Sequence, residues 1–321
     1  MRKLKRFCIS LMMTFISCYV FAAKGINIEE PLSLPMDTSV NPTVLAHYPK
    51  VQRGEPFQGK LVKEILPAYE GTDVYHMLYL PTDYDRSAKK VYPIMVELTG
   101  NKWHEYSSGK VEGAHLSFSI TLGKKFISVV APYIAKNHQQ NQLTWWGDVD
   151  ATVDYLKKLV PYIVKKYHGD PNNVFLCGFS RGAIGVSFIG LHDDEVASLW
   201  KVFISHDHFD GKKAWKGNSW GYPLSTYRKE AAERLMRAKG KPWYLSFNMQ
   251  EKNTKQEYIQ ALQDMKVLNL IDFTIAPIVI SDRFPIIPNS IFPHFHNDCW
   301  PIFDIQEGTR VRQWLRKELQ P

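Results

Sequence analysis

The chain has 321 residues, 45% of them hydrophobic and 22% charged, with a formal net charge of +8 and four cysteines. That length allows one large core, or two domains. No run of five or more Lys/Arg exists, which excludes a nucleic-acid footprint, and the cysteine count excludes a disulfide scaffold.

Residues 1–22 read as a signal peptide. Arg2, Lys3, Lys5 and Arg6 form a basic start, Phe7 to Phe21 is apolar, and Val20-Phe21-Ala22 puts small residues at −3 and −1. Their removal lowers the net charge from +8 to +4. The expected location is secreted or periplasmic. Ile16-Ser17-Cys18 is a poor lipobox, so a lipoprotein is the less favoured alternative. No other stretch is long and apolar enough for a transmembrane span in the mature chain. Cys177 and Cys299 then remain; two buried thiols are preferred over a bridge.

Residues 23–55 carry Pro31, Pro35, Pro42 and Pro49 without periodicity and read as an extended arm or linker. Residues 56–321 form the main domain. Leu61 to Leu66, Val74 to Leu80, Tyr92 to Leu98 and Phe126 to Ala131 are strand-like. The spacing of Val153, Leu156, Val160, Ile163 and Tyr167 predicts a helix over 150–168, broken or kinked at Pro161. Further strands are expected at 200–205, 243–247 and 273–280, with helices over 254–266 and 307–319. Residues 212–241 read only as polar and aromatic. Strands alternating with helices predict an α/β fold with a mostly parallel central sheet and helices on both faces.

Between a strand ending near Gly178 and a helix from Ala183 lies Gly178-Phe179-Ser180-Arg181-Gly182, which fits G-x-S-x-G. Strand, tight turn and helix with a serine at the apex form a nucleophile elbow. Glycines two before and two after the serine allow the close approach that such a turn needs.

The strand ending in Gly100, this elbow and a late histidine loop, in that order, resemble the α/β-hydrolase superfamily. Residues 57–101 look like the entry of secreted esterases related to feruloyl and acetyl-xylan esterases and dienelactone hydrolases. The likeness covers roughly residues 57–321 and makes 56–321 an α/β-hydrolase catalytic domain. It implies a triad in the order serine, acid, histidine and no cofactor. It points to Ser180 as nucleophile and to His296 as base, with His294 as alternative. For the acid it points to Glu251, the first carboxylate after the 243–247 strand, with Asp210 and Asp207 as alternatives. It places oxyanion donors on Arg181 and on Gly100 or Asn101. A guanidinium at 181 is a candidate for binding a substrate carboxylate, because Ser-Arg also stands at the elbow of glucuronoyl esterases; an Arg turned away toward an acid such as Asp148 is the alternative. Trp145, Trp146, Trp215 and Trp220 lie in loops, where aromatics stack on sugar rings.

The expected function is a secreted serine esterase acting on carbohydrate-linked acetyl, feruloyl or uronate esters, its partner a small-molecule or polysaccharide ester. Two alternatives stay open. His206-Asp207-His208-Phe209-Asp210 has the H-x-H-x-D spacing of a metal-dependent hydrolase. The same fold also serves non-catalytic carbohydrate binding.

Overall fold

The computed structural model describes residues 27–28, 48–87, 89–103, 107–215, 223–248, 254–278, 296–303 and 305–319. The chain enters through β1 (Asn27–Ile28), β2 (Val51–Gln52), β3 (Leu61–Glu64), β4 (His76–Tyr79) and β5 (Tyr92–Leu98). Helix α1 (Leu116–Thr121) leads to β6 (Ile127–Ala131), and α2 (Val149–Tyr167) leads to β7 (Gly169–Phe179). Next come α3 (Arg181–Phe188), α4 (Asp194–Ser198), β8 (Val202–His206), α5 (Leu224–Leu235), β9 (Pro242–Asn248) and α6 (Thr254–Asp264). The chain closes with β10 (Asp272–Ile278), α7 (Trp300–Phe303) and α8 (Ile305–Glu318).

The strands form one sheet in the order β1-β10-β9-β8-β7-β5-β6-β4-β3-β2. Only β4 runs antiparallel to its neighbours, β3 and β6. The other pairings are parallel. Two described pieces of the 23–55 stretch are strands at opposite edges: β1 beside β10 and β2 beside β3. Each short strand covers an edge that would otherwise offer unpaired backbone groups.

Side-chain alternation divides the core. Ile94, Val96 and Leu98 of β5, Val174 and Leu176 of β7, and Phe203 of β8 face one layer. That layer holds α2 through Leu156 and Ile163, α3 through Ile184, α5 through Tyr227 and Leu235, and α6 through Tyr258 and Leu262. Met95, Phe175, Cys177, Val202 and Ile204 face the other, with Leu116 and Ile120 of α1 and Val311 and Leu315 of α8. Near-continuous apolar strands follow from burial on both faces.

Two sequence expectations change. Helix α2 runs as one element through Pro161. A proline inside a helix costs about 3 kcal/mol, but Leu156, Leu159, Val160 and Ile163 are all buried around it, each contributing about 1.5–3 kcal/mol. Asp148 starts the helix, its carboxylate accepting from the Ala151 amide at 2.9 Å. Second, the polar 212–241 stretch contains α5. Its buried stripe is only Tyr227, Ala231 and Leu235, four residues apart, in an otherwise charged segment.

Candidate active site

β7 ends at Phe179 and α3 begins at Arg181, so Ser180 alone makes the turn. Its backbone sits at φ 55° and ψ −119°, a strained conformation for a residue with a side chain. The glycines permit it. A Cβ on Gly178 would lie 2.2 Å from the Gly182 carbonyl oxygen, and one on Gly182 would lie 1.8 Å from the Leu98 oxygen. The elbow therefore presses directly on the end of β5 and on the loop that follows.

β8 is the neighbour of β7 in the sheet, with Phe179 opposite His206. The Ser180 amide donates to the His206 carbonyl at 3.1 Å. One residue on, Asp207 turns at φ 69°. Its Oδ1 accepts from the Asn248 amide at 2.7 Å, and its Oδ2 lies 2.7 Å from His296 Nδ1. Burial alone would raise the Asp207 carboxyl; the charges of His206 and His296 and the hydrogen bonds from His296 and the Asn248 amide hold it well below the usual carboxylate range. An ionised carboxylate only accepts, so Nδ1 of His296 carries the proton and Nε2 is the basic nitrogen. The His296 ring packs on Phe179 at 4.4 Å between centroids and on His208 at 5.1 Å. Serine, histidine and this carboxylate thus gather at the carboxyl ends of two adjacent parallel strands.

Asp298, two residues past His296, anchors that loop. Its Oδ2 accepts from the His115 amide at 2.8 Å, just before α1. Glu97 lies beneath, accepting from the amides of Leu116 and Ser117 at 3.0 and 2.8 Å. Burial, then the charge of Asp298, pushes the Glu97 carboxyl up to about 7.

The other candidates separate clearly. Asp210 is buried and fully engaged: Arg234 donates to it from Nε and Nη2, Tyr227 from its hydroxyl at 2.6 Å and Ser187 at 2.8 Å. It is a structural anchor for α5 rather than a partner of His296. Glu251, His294 and Trp220 lie outside the described residues. Among the described residues the H-x-H-x-D side chains do not form one ligand set, although His206 Nε2 lies 3.5 Å from Asp207 Oδ2. Nδ1 of His206 bonds Ser246 Oγ at 2.9 Å, Asp207 holds His296, and Asp210 holds Arg234. The described His, Asp and Cys side chains that do converge are His115, Asp298 and Cys299. Cys177 and Cys299 are both buried free thiols.

Arg181 corrects the expectation of a substrate-binding guanidinium. Its side chain is 1% exposed and points under the elbow. Nη2 donates to the Gly100 carbonyl at 2.9 Å and Nη1 to that of Trp145 at 2.6 Å. Nε reaches the Thr99 oxygen and Nη1 the Gln142 oxygen, both at 3.4 Å. The guanidinium stacks 4.1 Å over Tyr133. Asp148, the proposed alternative partner, instead caps α2 and bonds His138. Desolvation lowers the Arg181 pKa to about 10. Trp146 is also a core residue, packed on Tyr133 and Phe188. Trp145 and Trp215 are half-buried and contact each other, with centroids 6.2 Å apart.

No protein-family model matches the chain, and no curated protein does. Solved structures do. A sugar hydrolase from Lactococcus lactis superposes with a TM-score of 0.51 at 14% identity, over 81% of this chain and 98% of that one. A carboxylesterase from Lactobacillus plantarum gives 0.50 at 13%, over 81% and 98%. The fold is the α/β-hydrolase fold. A thermostable esterase gives 0.48 at 12%, over 80% of this chain and 62% of its own length. In an α/β-hydrolase sheet, ligands bind outside the carboxyl ends of the strands, and that is where Ser180, Asp207 and His296 lie.

Proposed function

We propose that the protein is a carboxylic-ester hydrolase with Ser180 as nucleophile, His296 as base and Asp207 as the acid that orients it. The observation that carries this reading is the 2.7 Å contact between His296 Nδ1 and Asp207 Oδ2 beside the elbow strand. Ser180 Oγ attacks the ester carbonyl while His296 Nε2 takes its proton. The oxyanion is held by the Arg181 amide and by the Gly100 or Asn101 amide, for which no acceptor exists among the described loop hydrogen bonds. The imidazolium then protonates the departing alcohol. Water, deprotonated by the same nitrogen, hydrolyses the acyl-enzyme and restores the serine.

The substrate proposed is an ester on a carbohydrate, with acidic sugars favoured. A cleft of about 580 Å³ is lined by Lys63, Lys102 and Lys110 with Asn141, Gln142 and Thr144. Asp73 also lines it, but none of these lysines forms an ion pair among the described residues. Lys102 follows Asn101 and Thr144 precedes Trp145, so the cleft adjoins the loops around Ser180. The leader supports export, with a mature chain beginning at Ala23.

Ser180→Ala should abolish hydrolysis of p-nitrophenyl acetate, and a fluorophosphonate should label the native chain at Ser180 but not the variant. Undiminished turnover by the variant would sink the mechanism. A native chain that resists the fluorophosphonate and still binds glycans would instead support a non-catalytic module.

A further inference from the structure

Arg181 is an unusual residue to bury. Among the described residues no carboxylate pairs with it, and its positive charge is met by four main-chain carbonyls and the face of Tyr133. Burying a charge without an opposite charge is costly. If filling space were all that was required, an apolar side chain would serve at lower cost. What the guanidinium does that an apolar group cannot is grip carbonyls from two loops at once. Thr99 and Gly100 belong to the loop after β5, Gln142 and Trp145 to the loop before α2.

The consequence follows from peptide geometry. A trans peptide points its C=O and N–H in opposite directions. The Gly100 carbonyl shares its peptide plane with the Asn101 amide, and the Thr99 carbonyl with the Gly100 amide. Pulling these oxygens toward the guanidinium turns the two N–H groups the other way, off the buried side of the loop. The Gly100 carbonyl has the closer contact, 2.9 Å against 3.4 Å, so the Asn101 amide is the more firmly aimed. Asn101 is pinned again by its side chain, whose Oδ1 accepts from the Trp145 amide at 2.7 Å. Trp145 is itself held at a positive φ of 53°, a conformation that two bonded neighbours help to maintain. The two loops are thus cross-tied at Arg181 and at Asn101.

We propose that Arg181 is a positioning residue: its guanidinium holds the 99–101 peptides so that the Asn101 amide, with the Gly100 amide behind it, is preset to receive the oxyanion. This rests on the reading of Ser180 as nucleophile. The side chain stabilises the transition state through those amides rather than by touching substrate. A preset donor adds stabilisation only as the carbonyl oxygen gains charge, so its loss falls on kcat more than on KM.

The test uses the full chain and the variants Arg181→Lys, Arg181→Met and Asn101→Ala. Each is measured for kcat and KM on p-nitrophenyl acetate, for inhibition by a trifluoromethyl ketone that forms a tetrahedral adduct, and for thermal unfolding. An ammonium is a point charge without the planar fork needed to span these carbonyls. Arg181→Lys is therefore expected to lower kcat about 10- to 100-fold and to weaken the ketone by a similar factor, while KM changes less than about threefold. Asn101→Ala keeps Arg181 and removes only the second tie, and should move both quantities the same way by a smaller factor. It keeps the idea testable if the Arg181 variants do not fold. Folded variants with native kcat and native ketone affinity would overturn the proposal while leaving Ser180 chemistry intact. Failure of the native chain to react with a fluorophosphonate at Ser180 would overturn both together.

Discussion

At the scale of single residues, the identity of the acid is the sharpest question. Asp207 directly follows β8, whereas Glu251, the carboxylate favoured from sequence, lies outside the described residues. Asp207 meets His296 at 2.7 Å, and against its burial the charge of His206, the contact with His296 and the Asn248 amide hold its carboxyl below the usual range. Replacing it with asparagine keeps the shape but removes the charge that fixes the imidazole tautomer. Asp207→Asn should therefore lower kcat by about 10³–10⁴, whereas Glu251→Gln should stay within about threefold of the native rate. Steady-state kinetics of the two variants decides between them; the opposite ranking would return the role to Glu251. The strand–turn–helix elbow at Ser180 was legible because its glycines sit at fixed spacing around it. The carboxylate that meets His296 was not, since that contact depends on which strand lies next to β7, and adjacency is not written in local sequence. Arg181 misled for a related reason. A charged residue beside a nucleophile suggests a ligand, but the side-chain direction is set by the helix it begins.

At the scale of elements, the strands were readable as apolar, β-rich runs and α2 from its helical periodicity, and the sheet follows the strands closely. Helix α5 was not. Its buried face is three residues wide, and the force that seats it is partly electrostatic: Arg234 and Tyr227 of α5 both bond Asp210 after β8. The Asp210 side chain is fully buried, and that of Arg234 nearly so. Removing only one partner leaves the other charge buried and unpaired, which costs about 3–5 kcal/mol. Asp210→Ala should lower the free energy of unfolding by that order in a urea titration, and adding Arg234→Met should restore a large part of it. Equal destabilisation by the single and double variants would show that the pair does not act as one unit. Because the same cluster ties α3 to α5 through Ser187, the damage is to the support behind the elbow. Residual activity should accordingly fall with the folded fraction, not ahead of it.

At the scale of the whole molecule, the charge balance bears on which ester is taken. Among the described residues Lys63, Lys102 and Lys110 have no ion-pair partner, and they line one cleft whose Lys102 and Thr144 are chain neighbours of Asn101 and Trp145. A concave surface with an excess of one sign, here three lysines against Asp73, raises the local concentration of an oppositely charged ligand, and the effect weakens as salt shortens the screening length from about 30 Å at 0.01 M to about 8 Å at 0.15 M. An ester on a uronate-bearing oligosaccharide should therefore show a KM that climbs with ionic strength, while the neutral p-nitrophenyl acetate should not. Reversing one charge with Lys102→Glu should raise the KM for the acidic ester several-fold and leave kcat, and both constants for the neutral ester, near native. Equal salt sensitivity for the two substrates would place the acidic group away from this cleft. Lys102 is the informative position because Asn101, its neighbour, is the amide proposed to receive the oxyanion. Substrate charge would then be sensed one residue away from where transition-state charge is held, on the loop that Arg181 ties down from beneath.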